Sequence, residues 1–275
     1  MTIRLIILLT LTVSLNTIAQ TRLEGVIRDS GTKQILPYAN IGIVNKNVGT
    51  VSDSSGRFTM LIKDENINDS LKISYVGYKP LVMGIPQLIA LLAKTPVIDL
   101  EESAIKLQHV TIVEKKLKET SLGNTTESKK FRGGFTNSEL GNELGVVIKI
   151  KKPTMLLSFN ANVVVNTSDS MKFRLNIYDL KKGLPDNRII AEQIIFPIGV
   201  KAGRFSLDLT SYNIVMTDDF FVSLELIENY GRTKSGSILF SAGLLGNPLL
   251  VRQTSQGSWK KYSAISVGFN LTAQQ

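Results

Sequence analysis

Residues able to carry acid–base or covalent chemistry are few in this chain, and their spacing is poor. The one histidine, His109, lies in Leu107-Gln108-His109-Val110-Thr111-Ile112-Val113, a stretch that reads as a strand. A catalytic zinc needs three protein ligands, usually with two histidines among them, and the chain has no cysteine to substitute. A serine triad would have to use His109, and no Gly-x-Ser-x-Gly elbow surrounds a serine. Paired carboxylates remain. Asp218-Asp219 reads as a turn before a strand that carries Glu225, with Glu228 at its end. Residues three apart on a regular strand point to opposite faces, so Glu225 and Glu228 are not expected to converge. Glu225 alternates with Leu224 and Leu226, which places it in solvent if the leucines face a core. Ser52-Asp53-Ser54-Ser55-Gly56 and Asp186-Asn187 offer oxygens, but without the ligand spacing of a calcium loop, and both read as turns. No catalytic residue, metal ligand or cofactor is expected.

Aromatic side chains are the better candidates for a binding surface. Trp259, the single tryptophan, follows Gly257-Ser258; Tyr262 comes three residues later, and Tyr230-Gly231 lies in another loop. Flat rings on loops can stack on sugar faces or anchor a protein partner. The alternative for Trp259 is that it plugs one end of a core. The net charge of +9 invites a nucleic-acid reading, but the lysines are scattered rather than gathered with aromatics, so no nucleic acid is expected. Gly133-Gly134 beside Lys129, Lys130 and Arg132 lacks the spacing of a phosphate-binding loop. The absence of cysteine excludes disulfides, thiolate catalysis and a lipidated N-terminal cysteine.

The elements that would position these residues are nearly all strands. Met1 to Ala19 reads as a secretory signal: Arg4, an apolar run from Leu5 to Leu15, then small residues at Thr17-Ile18-Ala19. That run is short for a bilayer span, and no later stretch is long and apolar enough, so no transmembrane segment is expected after cleavage. Beyond it, Ala39, Ile41 and Ile43 alternate with Tyr38, Asn40 and Gly42; Phe58, Met60 and Ile62 repeat the period, as do Leu71, Ile73 and Tyr75. Each pattern describes a strand with one buried face. Ser52 to Gly56 supplies a tight turn. Leu81 to Lys94 fits either a short helix opened by Pro86 or an apolar loop.

These residues resemble a known family. Leu23-Glu24-Gly25-Val26-Ile27-Arg28-Asp29, Leu36-Pro37-Tyr38-Ala39-Asn40-Ile41, Gly49-Thr50-Val51-Ser52-Asp53-Ser54-Ser55-Gly56-Arg57-Phe58 and Leu71-Lys72-Ile73-Ser74-Tyr75-Val76-Gly77-Tyr78 look like the carboxypeptidase regulatory-like domain. The resemblance implies a transthyretin-like β-sandwich with no catalytic role. In that family the module stands beside metallopeptidase domains or before the plug of bacterial outer-membrane receptors; neither neighbour is evident in this sequence.

The expected organisation is a signal peptide over 1–19, this sandwich over 20–113, a linker over 114–143 and a second antiparallel β-sandwich or jelly roll over 144–275. The linker is lysine-rich and punctuated by Gly123, Gly133, Gly134 and Gly141. From Leu144 onward, alternating runs such as Phe159-Ala161-Val163 and Val222-Leu224-Leu226 recur with turn residues between them and no long helix. Two all-β domains behind an export signal, without catalytic residues, point to a noncatalytic binding or assembly module of the bacterial cell envelope, in the periplasm or at the surface, with a glycan or envelope protein as partner. The alternative is a glycan-active envelope enzyme whose carboxylates the fold brings together.

Overall fold

The structure is a computed structural model; it describes residues 20–103, 118–136, 139–168, 171–190, 192–229, 236–244 and 246–275. The signal-like segment, His109 with the strand expected around it, and Tyr230 lie outside the described residues. The chain is all-β, in two sandwiches.

The first sandwich uses β1 (Gln20–Asp29), β2 (Asn40–Ile43), β3 (Gly49–Val51), β4 (Arg57–Lys63), β5 (Ser70–Ser74), β6 (Leu81–Gly84), α1 (Ile85–Lys94) and β7 (Val97–Leu100). One sheet has the order β4-β1-β7 and the other β3-β2-β5-β6. Between them lie Leu23, Ile27, Ile41, Ile43, Phe58, Met60, Ile62, Leu71 and Ile73, closed at one end by Ile85 and Leu88 of α1. Leu81 to Lys94 is therefore an edge strand followed by a helix with proline in its first turn, where a missing N–H costs nothing. Asp53 caps the turn before β4 by accepting from the backbone N–H groups of Ser55 and Arg57, and Gly56 supplies the positive φ of 68°.

The second sandwich holds β8 (Glu119–Gly123), β9 (Phe131–Phe135), β10 (Glu143–Ile148), β11 (Thr154–Asn166), β12 (Met171–Lys181), β13 (Leu184–Arg188), β14 (Ile194–Pro197), β15 (Gly203–Asp208), β16 (Val215–Met216), β17 (Phe220–Asn229), β18 (Ile238–Leu244), β19 (Leu249–Arg252), β20 (Lys260–Tyr262), β21 (Ile265–Val267) and β22 (Phe269–Gln274). One sheet runs β13-β12-β17-β10-β19-β20 with β14 also on β12; the other runs β21-β18-β11-β22-β8, with β15 and β16 on β11 and β9 on β18. Phe173, Leu175, Val222, Leu224 and Leu226 of the first meet Phe159, Ala161, Phe240, Phe269 and Leu271 of the second. Phe269 stands edge-on to both Phe159 and Phe240, at 5.1 and 5.0 Å between ring centroids.

The stretch expected as a linker differs from that expectation within its described part. Residues 119–123 pair with β22, and residues 131–135 pair with β18. Two of its glycines, which suggested flexibility, are required by the local structure. Gly134 lies so close to the Ile238 carbonyl that no side chain would fit, and Gly123 adopts a φ of 102°.

Strand β17 is buried along both faces from Phe220 to Glu228. Its inner face fills the core just described. Its outer face is covered by the first sandwich, and there the candidate site is built.

Candidate functional site: the seam between the two sandwiches

On the outer face of the seven-stranded sheet, strands β10, β12, β17 and β19 bring together Glu143, Arg174, Asn176, Tyr178, Ser223, Glu225 and Arg252, all buried. Register explains the convergence: Arg174 pairs with Glu225 across β12 and β17, and Glu143 pairs with Glu225 on one side and Arg252 on the other. Cross-strand neighbours on one face stand about 4.5–5.5 Å apart at Cβ, close enough for long charged side chains to meet.

Glu225 is the centre. Its Oε2 accepts from Arg174 Nη2 at 2.8 Å, Arg174 Nε at 3.1 Å and Asn176 Nδ2 at 2.8 Å, while Arg188 Nη2 lies at 3.5 Å. Its Oε1 accepts from Asn40 Nδ2 of the first sandwich. Burial by itself would raise the pKa of Glu225, but Arg174, Arg188 and Arg252 outweigh it and hold the carboxyl down at about 2. Glu143, the second buried acid, accepts from Asn176 Nδ2 at 2.8 Å and Ser223 Oγ at 2.5 Å, and pairs with Arg252 Nη2 at 2.5 Å. Tyr178 donates to Glu143 at 3.2 Å and accepts from Arg252 Nη2 at 3.0 Å; burial pushes its hydroxyl up to about 12.

The first sandwich closes this network. Arg174 Nη1 donates to the Tyr38 carbonyl at 2.7 Å, and Arg174 Nη2 donates to Asn40 Oδ1 at 2.6 Å. Tyr38 Oη donates to Glu228 Oε2 at 2.6 Å, and Glu228 also pairs with Lys172 at 2.8 Å. Asn40 Nδ2 reaches Ser255 Oγ at 2.9 Å, and Gln256 Nε2 donates to Ser74 Oγ at 2.9 Å. Gly42 and Gly49 have no room for a side chain because the Ser255 carbonyl oxygen occupies the space where a Cβ would project. Tyr38, Val51 and Ile227 add an apolar contact across the seam.

Two expectations are corrected by this arrangement. Glu225 does not face solvent: it is fully buried, because the first sandwich lies where solvent was expected. Glu225 and Glu228 do both reach the first sandwich, because the register between β12 and β17 slips at this point, Lys172 opposing Glu228 and Phe173 opposing Leu226. The extra residue, Ile227, changes the phase of the alternation, as a bulge does. Likewise Tyr38 and Asn40, which alternate with the core residues of β2, are buried against the second sandwich.

Beside the network opens a cleft of about 250 Å³. The first sandwich lines it with Lys72, Tyr75 and Tyr78, the second with Tyr178, Arg188 and Arg252. Tyr75 and Tyr78 meet edge-to-face at 5.3 Å. Burial, and next the Arg252 guanidinium, lower the pKa of the Lys72 ammonium, with Asp186 opposing and Arg188 adding to the repulsion. Arg188 and Arg252 each keep a buried Nε–H without a hydrogen-bond partner.

Of the aromatic candidates, the two within the described residues differ in burial. Trp259 is half-buried, edge-on to Phe221 at 5.1 Å and Tyr178 at 6.0 Å, with the Arg252 guanidinium 4.9 Å from its ring centre. Tyr262 is 48% exposed on β20. Trp259 thus supports a cleft residue, Arg252, from behind. Sequence reasoning missed Lys72 because it alternates with Leu71 and Ile73 as an ordinary solvent-facing strand residue does, Arg188 because it follows Asp186-Asn187, which reads as a turn, and Arg252 because it only ends the apolar run Leu249-Leu250-Val251. The unusual feature, legible in hindsight, is β17 itself: Phe221, Ser223 and Glu225 on one face of a strand leave little for water.

No curated protein matches this chain. Among solved structures, one chain of the infectious bursal disease virus Gx strain aligns over 92% of this chain and 60% of its own length, with 10% identity and a TM-score of 0.27. Residues 23–112 match the family model described as the CarboxypepD_reg-like domain. The side of the cleft that carries Asn40, Lys72, Tyr75 and Tyr78 thus lies within the segment that matches the CarboxypepD_reg-like domain.

Proposed function

We propose that this chain is a noncatalytic, exported binding module of the bacterial cell envelope, and that its partner, a glycan or an envelope protein, engages the cleft between the two sandwiches. The observation that carries this reading is the composite lining of that cleft, with aromatic and polar side chains from both domains converging beside a seam locked by buried hydrogen bonds. Concave sites at domain interfaces are where ligands most often bind, and a rigid seam spares the ordering cost of closure.

The enzyme reading has one specific observation in its favour. Glu143 and Glu225 accept from the same amide nitrogen, Asn176 Nδ2, so two carboxylates do lie close together. Their environment argues against glycoside hydrolysis. A general acid must hold a proton near neutral pH, whereas Glu225 is held at about 2, and both acids are fully buried and tied to guanidinium groups.

The test combines a glycan array with a pull-down from envelope extract, using the wild type, Val76→Trp, a substitution of a residue that also lines the cleft, to fill it, and Tyr262→Ala on the exposed strand. Retention by the wild type and by Tyr262→Ala, but not by a folded Val76→Trp, supports the cleft. Retention by Val76→Trp and loss in Tyr262→Ala would move the site to β20. Turnover of a glycan by the wild type would overturn the noncatalytic reading.

A further inference from the structure

Charge around the cleft is unbalanced. Three guanidinium groups, those of Arg174, Arg188 and Arg252, share two buried carboxylates, Glu143 and Glu225. Lys72 adds a fourth cation on the opposite wall, and the acid named against it, Asp186, also faces Lys181 at 3.8 Å. Buried or half-buried positive charge of this kind is costly unless something answers it. The buried Nε–H groups of Arg188 and Arg252 have no acceptor, so the hydrogen bonding of both guanidiniums is incomplete. The other lining groups are the Asp186 carboxylate, which is shared with Lys181, the rings of Tyr75 and Tyr78, and the amides of Asn187 and Gln256. Rings beside amides suit a hydroxylated ring with one apolar face.

From the placement of Lys72, Arg188 and Arg252 around a ring-lined cleft, we infer that the cleft takes a small oxyanion-bearing ligand, a carboxylate or phosphate on a body the size of one sugar ring. The inference rests on the proposed cleft as the binding site and adds the class of ligand. Size supports it: about 250 Å³ lies just below the roughly 300–1,000 Å³ of pockets for drug-sized ligands, so one ring with its charged substituent fits and a long chain does not. Lys72 is the residue that senses the anion, because it is the cationic wall contributed by the first sandwich and stands outside the buried ion-pair network. The arginines position the charge from below, with Trp259 stacked against Arg252.

The probes are glucuronate, glucose 6-phosphate and glucose, titrated calorimetrically into the full mature chain at low and at physiological salt. The expected result is binding of glucuronate or glucose 6-phosphate, weakening with salt, with glucose at least about tenfold weaker. Which of the two acids binds more tightly distinguishes a carboxylate from a phosphate ligand. Lys72→Gln should weaken the acid by about tenfold at an unchanged melting temperature, and Lys72→Arg should retain binding. Glucose binding as tightly as either acid, or Lys72→Gln binding like the wild type, would overturn the anion inference. If none of the three probes binds while the array or pull-down still yields a cleft-dependent partner, the anion inference falls and the binding-module reading stands. If the array and pull-down are also empty, both fall.

Discussion

Replacing Glu225 by glutamine probes the seam most directly. The substitution keeps size and shape but removes the charge that answers Arg174 at 2.8 Å and Arg188 at 3.5 Å, both held in a site closed by the first sandwich. Two routes give the magnitude. Breaking a buried ion pair from one side generally costs about 3–5 kcal/mol. The depression of the carboxyl from an ordinary value of about 4.5 to about 2 corresponds to on the order of 3 kcal/mol of preferential stabilisation of the charged form. The sign follows from the depressed pKa. The contribution is fully present above about pH 4.5 and is lost as pH falls through about 2. Urea denaturation of wild type and Glu225→Gln should therefore differ by about 3 kcal/mol at pH 7, and the gap should narrow steadily between about pH 4.5 and 2. The effect should also appear in domain docking, since glutamine keeps one acceptor oxygen and sets an NH2 where the other stood, so the donors of Asn40 and Arg174 can no longer both be answered. A variant within about 1 kcal/mol of wild type at pH 7, or a gap independent of pH, would refute the assignment of Glu225 as the buried anionic centre.

Three further outcomes follow from the same structure. Gly42→Ala places a methyl against the Ser255 carbonyl across the seam; it should cost about 1–3 kcal/mol and split thermal unfolding into two transitions, and a single unshifted transition would show that the sandwiches do not depend on this contact. Trp259→Ala removes a half-buried ring packed on Phe221, Tyr178 and Arg252, so the melting temperature should fall by an amount equivalent to about 1.5–3 kcal/mol, less than for a fully buried tryptophan; an unchanged melting temperature with lost ligand retention would favour a surface platform instead. Intact-mass analysis of exported protein should find Gln20 at the N-terminus, and a mass retaining Met1 to Ala19 would favour an anchored form.

Much of the first sandwich was legible without coordinates. Two-residue alternation in Ala39-Asn40-Ile41-Gly42-Ile43 and Phe58-Thr59-Met60-Leu61-Ile62 is a local property, and so is the turn chemistry of Asp53 and Gly56, because both depend on the pleat and on φ at single residues. The all-β character of the second half rests on the same period. Alternation identifies two faces, but it does not say what covers the second one. For β2 and β17 the polar face meets another domain rather than water, and nothing in Glu225 or Asn40 marks that difference locally. The strands at 119–123 and 131–135 were equally hidden, since polar, glycine-bearing sequence pairs as an edge strand only when a neighbour supplies the apolar contacts. A slip of one residue at Ile227 then decided which acids meet the first sandwich. Backbone periodicity is written along the chain, whereas the partners of a buried charge come from strands far apart in sequence, and only their packing brings Glu143, Arg174, Glu225 and Arg252 to one point.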